Sequence, residues 1–96
     1  MIRYLAGALR EIDEILDYIA VDNPQASKRL GDAIQRTISW IDKWPLLSPI
    51  VHNGSLRSKL VSGYQYRVYY VVEGPDVIIH NVRSTRRLRP WEDQSR

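Results

Sequence analysis

The sequence has no cysteine and only two histidines in 96 residues. Without thiols there is neither a disulfide framework nor a thiolate metal site, a usage that suits a reducing cytoplasm. His52 sits in a Pro/Asn/Gly-rich stretch and His80 in a strand-like one. Neither has a carboxylate at ligand-like spacing, so no metal site is expected. No glycine-rich segment leads into a helix, which removes the usual phosphate cradles. Ser48, Ser55, Ser58, Ser62 and Ser84 lack the surroundings of a nucleophilic triad. No apolar run nears the roughly 20 residues that span a bilayer, and Met1-Ile2-Arg3-Tyr4 lacks the apolar core of a secretory signal. These absences leave a single domain over residues 1–96 with one core, cytoplasmic, needing no cofactor and touching no membrane.

The charge that is present is unevenly placed. Residues 1–52 hold six Lys/Arg against seven Asp/Glu, and residues 53–96 hold eight against four. The excess lies in Arg57, Lys59, Arg67, Arg83, Arg86, Arg87 and Arg89. Such a patch attracts anionic partners, nucleic acid or an acidic protein; a merely solvated surface has the same composition.

Along the chain, Ile2 to Leu5 reads as a short edge strand. Leu5, Leu9, Ile12, Leu16 and Ile19 then recur at helical spacing, with Ala8 and Ile15 widening the stripe and Arg10, Glu11, Asp13, Glu14 and Asp17 mostly opposite. Asp22-Asn23-Pro24 interrupts this helix, because a residue before proline avoids helical dihedrals. Asn23 and Pro24 also suit the N-cap and first position of a second helix, Pro24 to about Lys43, ended by Trp44-Pro45. So short a link predicts an antiparallel hairpin. Residues 45–55 read as a loop, and three strands follow over about 56–61, 64–72 and 77–82. In the last strand neither alternation is clean, which points to a bulge. Residues 90–96 read as a frayed polar tail. The sum is a two-layer α+β domain, β-α-α-β-β-β, with a helical hairpin packed on one face of an antiparallel sheet.

The second of the three strands is the informative one. Tyr64, Tyr66, Val68, Tyr70 and Val72 fall on the side expected to meet the helices. Gln65, Arg67, Tyr69, Val71 and Glu73 fall on the bare side. An arginine in a central strand is costly to bury unpaired, so Arg67 should face solvent or a partner. Arginines position phosphates and stabilise phosphoryl transition states, yet RNA cleavage also needs a proton carrier. Tyr64 and Tyr69 are the candidates, although strand tyrosines are more often packing residues.

The ordered set Leu9–Ala20, Asp22-Asn23-Pro24-Gln25-Ala26, Trp44-Pro45, Leu56-Arg57-Ser58, Tyr66–Tyr70 and Val82–Leu88 resembles the RelE/ParE superfamily of toxins from bacterial toxin–antitoxin modules. The acidic-Asn-Pro junction is similar to the ParE branch. The resemblance implies a plasmid-stabilisation-type toxin neutralised by a cognate antitoxin, in a toxin–antitoxin hetero-oligomer. It implies DNA gyrase as the target and growth inhibition without an enzymatic step. The alternative within the superfamily is a RelE-like endoribonuclease that cleaves messenger RNA on the ribosome, with Arg67, Arg83 and Arg86 in the catalytic set. Arg67 matches the strand arginine common to both branches, and Arg86 an arginine near the end. No tyrosine follows Tyr70, which favours the gyrase branch. The residues implied for target or antitoxin binding are Arg57, Lys59, Arg67, Tyr69, Arg83, Arg86 and Arg87.

Overall fold

A computed structural model describes residues 1–93. Helix α1 runs Ala6–Asp22 and helix α2 runs Pro24–Lys43, joined by Asn23 alone. Asn23 serves both helices. Its backbone N–H donates to the Ile19 carbonyl at the end of α1, and its Oδ1 accepts from the Ala26 N–H at 3.0 Å to open α2. Asn23→Ala should therefore cost about 1 kcal/mol of stability, read as a lower urea midpoint with unchanged slope; no shift would show that Pro24 alone sets the junction.

The helices pack through Ser27, whose hydroxyl donates to the Leu16 carbonyl at 2.7 Å, and through Gly31, where an added Cβ would lie 3.4 Å from a Leu16 methyl. On α1 the line that meets the core is Ala8, Ile12, Ile15, Leu16 and Ile19. Leu5 and Leu9, which the periodicity places in the same stripe, are 44% and 47% exposed, while Ala8 between them is fully buried. On α2 the apolar spacing predicts a stripe of Ala26, Leu30, Ala33, Ile34, Thr37, Ile38, Ile41 and Trp44. Its members from Leu30 to Ile41 are buried, Ala26 is half-buried and Trp44 is 47% exposed.

The strands are β1 (Ile2–Tyr4), β2 (Ile50–His52), β3 (Leu56–Leu60), β4 (Tyr66–Glu73) and β5 (Asp76–Ser84), in the order β1-β5-β4-β3-β2. The α+β fold with its helical hairpin matches the sequence reading, and three details differ. First, the sheet is mixed: β1 lies parallel to β5, Ile2 beside Val77 and Tyr4 beside Ile79. The helical hairpin intervenes between β1 and the rest of the sheet and gives the crossover that a parallel pair needs. Second, part of the expected loop 45–55 is an edge strand, β2, too short to show alternation; it turns back into β3 through Asn53 and Gly54, both at positive φ. Third, the tail is partly ordered. Pro90–Glu92 form a turn of 3₁₀ helix, η1, while residues 94–96 lie outside the described residues.

The bulge expected in the last strand is present. Opposite Tyr69 stands Asn81 and opposite Tyr70 stands Ile79, so His80 is the extra residue. This resolves the unclean alternation: Val77 and Ile79 before the bulge and Val82 after it all reach the core. With Val68 and Tyr70 of β4 they meet Leu30, Ile34, Ile38 and Ile41 of α2. Tyr70 is fully buried, and its hydroxyl donates to the Pro45 carbonyl at 2.8 Å, fixing the chain where it leaves α2.

Candidate functional site

Alternation along β4 sends Arg67, Tyr69 and Val71 away from the helices. Pairing sets Arg67 between Leu60 of β3 and Arg83 of β5, and Tyr69 between Ser58 and Asn81. Arg67 is half-buried, and its Nη1 donates to the Ser58 hydroxyl at 2.9 Å. Among the described residues no carboxylate pairs with it. Its charge is therefore uncompensated on the side where Ser84 and the turn after it rise over the sheet.

That turn supplies Arg86 and Arg87, both exposed. The Arg86 N–H donates to the Ser84 hydroxyl and the Arg87 N–H to the Ser84 carbonyl, each at 3.1 Å, which closes the turn. Arg67, Tyr69, Arg86 and Arg87 line one open cleft of about 590 Å³, together with Arg89 and Trp91. Trp91 stacks flat on His52, with centroids 4.4 Å apart and planes 4° from parallel, and meets Tyr69 edge-on at 6.1 Å. Tyr69 is thereby buried, a packing residue at the cleft floor rather than an exposed phenol.

Three of the basic residues singled out from the sequence are engaged elsewhere. Arg57 and Lys59 pair with Tyr70 and Val68, so they point to the helix side of the sheet. Arg57 Nη1 donates to the Ser48 carbonyl at 2.6 Å and to that of Leu46 at 3.3 Å, pinning the loop after α2. Lys59 Nζ lies 4.3 Å from the Trp40 ring centroid, a cation–π contact. Arg83 lies beside Arg67 in register but is committed: Nε donates to Glu11 at 3.1 Å and Nη1 to Asp93 at 2.9 Å, with the three side chains 13–16% exposed.

Glu11 is a residue the sequence did not single out. β1 pairs with β5 only as far as Ile79, which leaves the edge of β5 beyond the bulge open. The Glu11 carboxylate fills that edge, accepting from the Val82 N–H at 2.9 Å and from the Asn81 amide at 3.3 Å as well as from Arg83. Ser58 and Trp91 were missed for a similar reason, since a serine and a tail tryptophan carry no periodic signal.

Chemically the cleft, lined by four arginines and one carboxylate, Glu92, is suited to an anion. Guanidinium groups stay protonated and present several N–H donors to an oxyanion. Burial holds the Tyr4 phenol above its usual range, but Tyr4 lies in β1, across β5 from the cleft. Among the described residues no group of three His, Asp or Glu side chains is placed to hold a metal ion, and no helix is long and apolar enough to cross a membrane.

No curated protein matches the sequence. Among solved structures, the chain is similar to one described as the chromosomal ParDE TA system from P. aeruginosa, with a TM-score of 0.69 and 12% identity over 86% of this chain and 92% of that one. That is a likeness of fold. The model of the ParE toxin of type II toxin-antitoxin systems matches residues 2–89, nearly the whole sequence, and the chain accordingly belongs to the ParE toxin family.

Proposed function

We propose that this protein is a toxin that inhibits DNA gyrase and is neutralised by a cognate antitoxin, and that the cleft around Arg67 is the face it turns to a partner. Family membership supports the toxin reading, and the ParDE likeness supports an antitoxin as companion. The observation that carries the site is Arg67: a half-buried guanidinium in mid-sheet, bonded to one serine hydroxyl and facing an open cleft shared with Arg86 and Arg87. A cation left unpaired at that depth is stabilised when an acidic group of a partner covers it. The antitoxin is then expected to present an acidic segment, which complements the basic second half of the chain.

Arg67→Ala tests the site. The variant loses one hydrogen bond to Ser58, so its stability should fall by only about 1 kcal/mol. Its inhibition of gyrase supercoiling should weaken by an amount equivalent to ~2–5 kcal/mol of binding if the arginine forms a desolvated charge pair. Undiminished inhibition at equal concentration would remove Arg67 from the site.

The second reading, messenger RNA cleavage on the ribosome, is favoured by the same guanidinium cluster, which also suits phosphates. It needs Arg83 in the catalytic set, and Arg83 is held between Glu11 and Asp93. Codon-positioned cuts in a toeprint of translating ribosomes would establish that reading, and supercoiling inhibition with intact messages would eliminate it.

A further inference from the structure

The end of the described chain folds back over the cleft. After Arg89, the single turn of η1 sets Trp91 against His52 and Tyr69, and sets the Asp93 carboxylate against Arg83 and Arg87, at 2.9 and 3.4 Å. An acidic side chain thus already sits on an arginine of the anion receptor. None of Pro90, Trp91 or Glu92 is buried, and none belongs to the hydrophobic core.

We propose that Trp91–Asp93 is a self-competing strap: Asp93 occupies Arg87 in place of a partner's oxyanion, and Trp91 covers the Tyr69 end of the cleft until a partner displaces both. This rests on the reading of the cleft as the partner-facing site and adds its regulation.

The ion-pair geometry keeps Arg83 partnered through the displacement. When Asp93 leaves, Arg83 keeps Glu11, so no nearly buried guanidinium is stranded. Arg87, 56% exposed, returns to solvent or to the incoming anion. Losing the carboxylate also raises the net positive charge facing the cleft, which favours the anion that replaces it. The aromatic contacts behave likewise. Trp91 separates from His52 and Tyr69 as one ring, without opening the layer between helices and sheet.

The receptor can be titrated with inorganic pyrophosphate, using the full-length chain and following backbone and indole N–H signals by NMR. A closed strap lowers apparent affinity by the fraction of molecules that are open, so a strap open in about one molecule in ten predicts about tenfold tighter binding for Trp91→Ala. That substitution changes no charge, so the gain cannot be a general electrostatic effect. Asp93→Asn should tighten binding too, and adding Arg67→Ala to either variant should abolish the gain. In the wild-type protein, saturating pyrophosphate should also remove the ring-current shift that Trp91 imposes on the His52 ring protons. This last readout needs no variant to fold.

If pyrophosphate binds wild type and Trp91→Ala equally, with Trp91 still stacked on His52 at saturation, the strap is overturned while the receptor stands. If pyrophosphate binds no form of the protein, both the receptor and the strap fall.

Discussion

Tyr70→Ala is expected to lower stability by about 3–5 kcal/mol, the range for emptying a large aromatic site in a core. Tyr70 has no exposed surface, and it lies in the cluster formed by α2 with β4 and β5. Few neighbours can collapse into the gap. Those on the sheet are held by strand pairing, and those on α2 project from a helix anchored at both ends, by Asn23 and by the Trp44 N–H to the Trp40 carbonyl. A domain of this size has little stability in reserve, so a loss of that order should leave a large unfolded fraction.

Tyr70→Phe separates the ring from its hydroxyl. It keeps the buried ring and leaves the Pro45 carbonyl without its 2.8 Å donor, at a cost of about 1 kcal/mol. Urea midpoints for wild type and both variants decide the matter. A phenylalanine variant as unstable as the alanine one would mean that the chain reversal at Pro45, and not core packing, is what Tyr70 secures.

The second large effect is expected at Glu11, which looks unremarkable on a helical wheel. Glu11→Ala removes the acceptor of the Val82 N–H, of the Asn81 amide and of the Arg83 Nε together. The Arg83 and Glu11 side chains are 13% and 15% exposed, so solvent screens this pair less than a surface one. Leaving one partner of such a pair behind costs about 3 kcal/mol, somewhat softened here because Asp93 still reaches Arg83. Asp13→Ala, on the exposed side of the same helix, serves as the control and should lie within about 0.5 kcal/mol of wild type.

Combining Glu11→Ala with Arg83→Met tests the coupling. The double variant should be more stable than the sum of the two losses predicts, since no charge is then stranded. Strict additivity would show that Glu11 acts through the β5 edge alone. The distinction matters for function, because Arg83 anchors both the strand that carries the cleft and the segment that covers it.

How legible the molecule was in its residues follows from the range of each interaction. The hairpin was readable because its causes are local: apolar residues every three or four positions, and an Asn-Pro pair that stops one helix and starts the next. The two faces of β4 were readable for the same reason, since alternation is a property of one strand. Even the bulge at His80 left a trace, as a mismatch in the alternation of β5. The strand β2 left none, because three residues at a sheet edge owe their conformation to β3.

The site was legible only in part. Alternation marked Arg67 as facing away from the helices, and the structure places it beside Arg86 and Arg87 on one cleft. Arg57, Lys59 and Arg83 were indistinguishable from these by charge, and they face the helix side or an ion pair instead.

Taken alone, then, the residue order determined the helical hairpin and the strand that carries Arg67 through patterns a few residues long, and the family through the ordered set of segments from Leu9 to Leu88. Tertiary structure alone decided which cations are free. Arg83 is paired with a carboxylate 72 positions away in sequence, and Arg57 donates to carbonyls of a loop folded against its strand. A guanidinium's partners are set by what the folded chain brings within about 3 Å of it, and no local period encodes that distance.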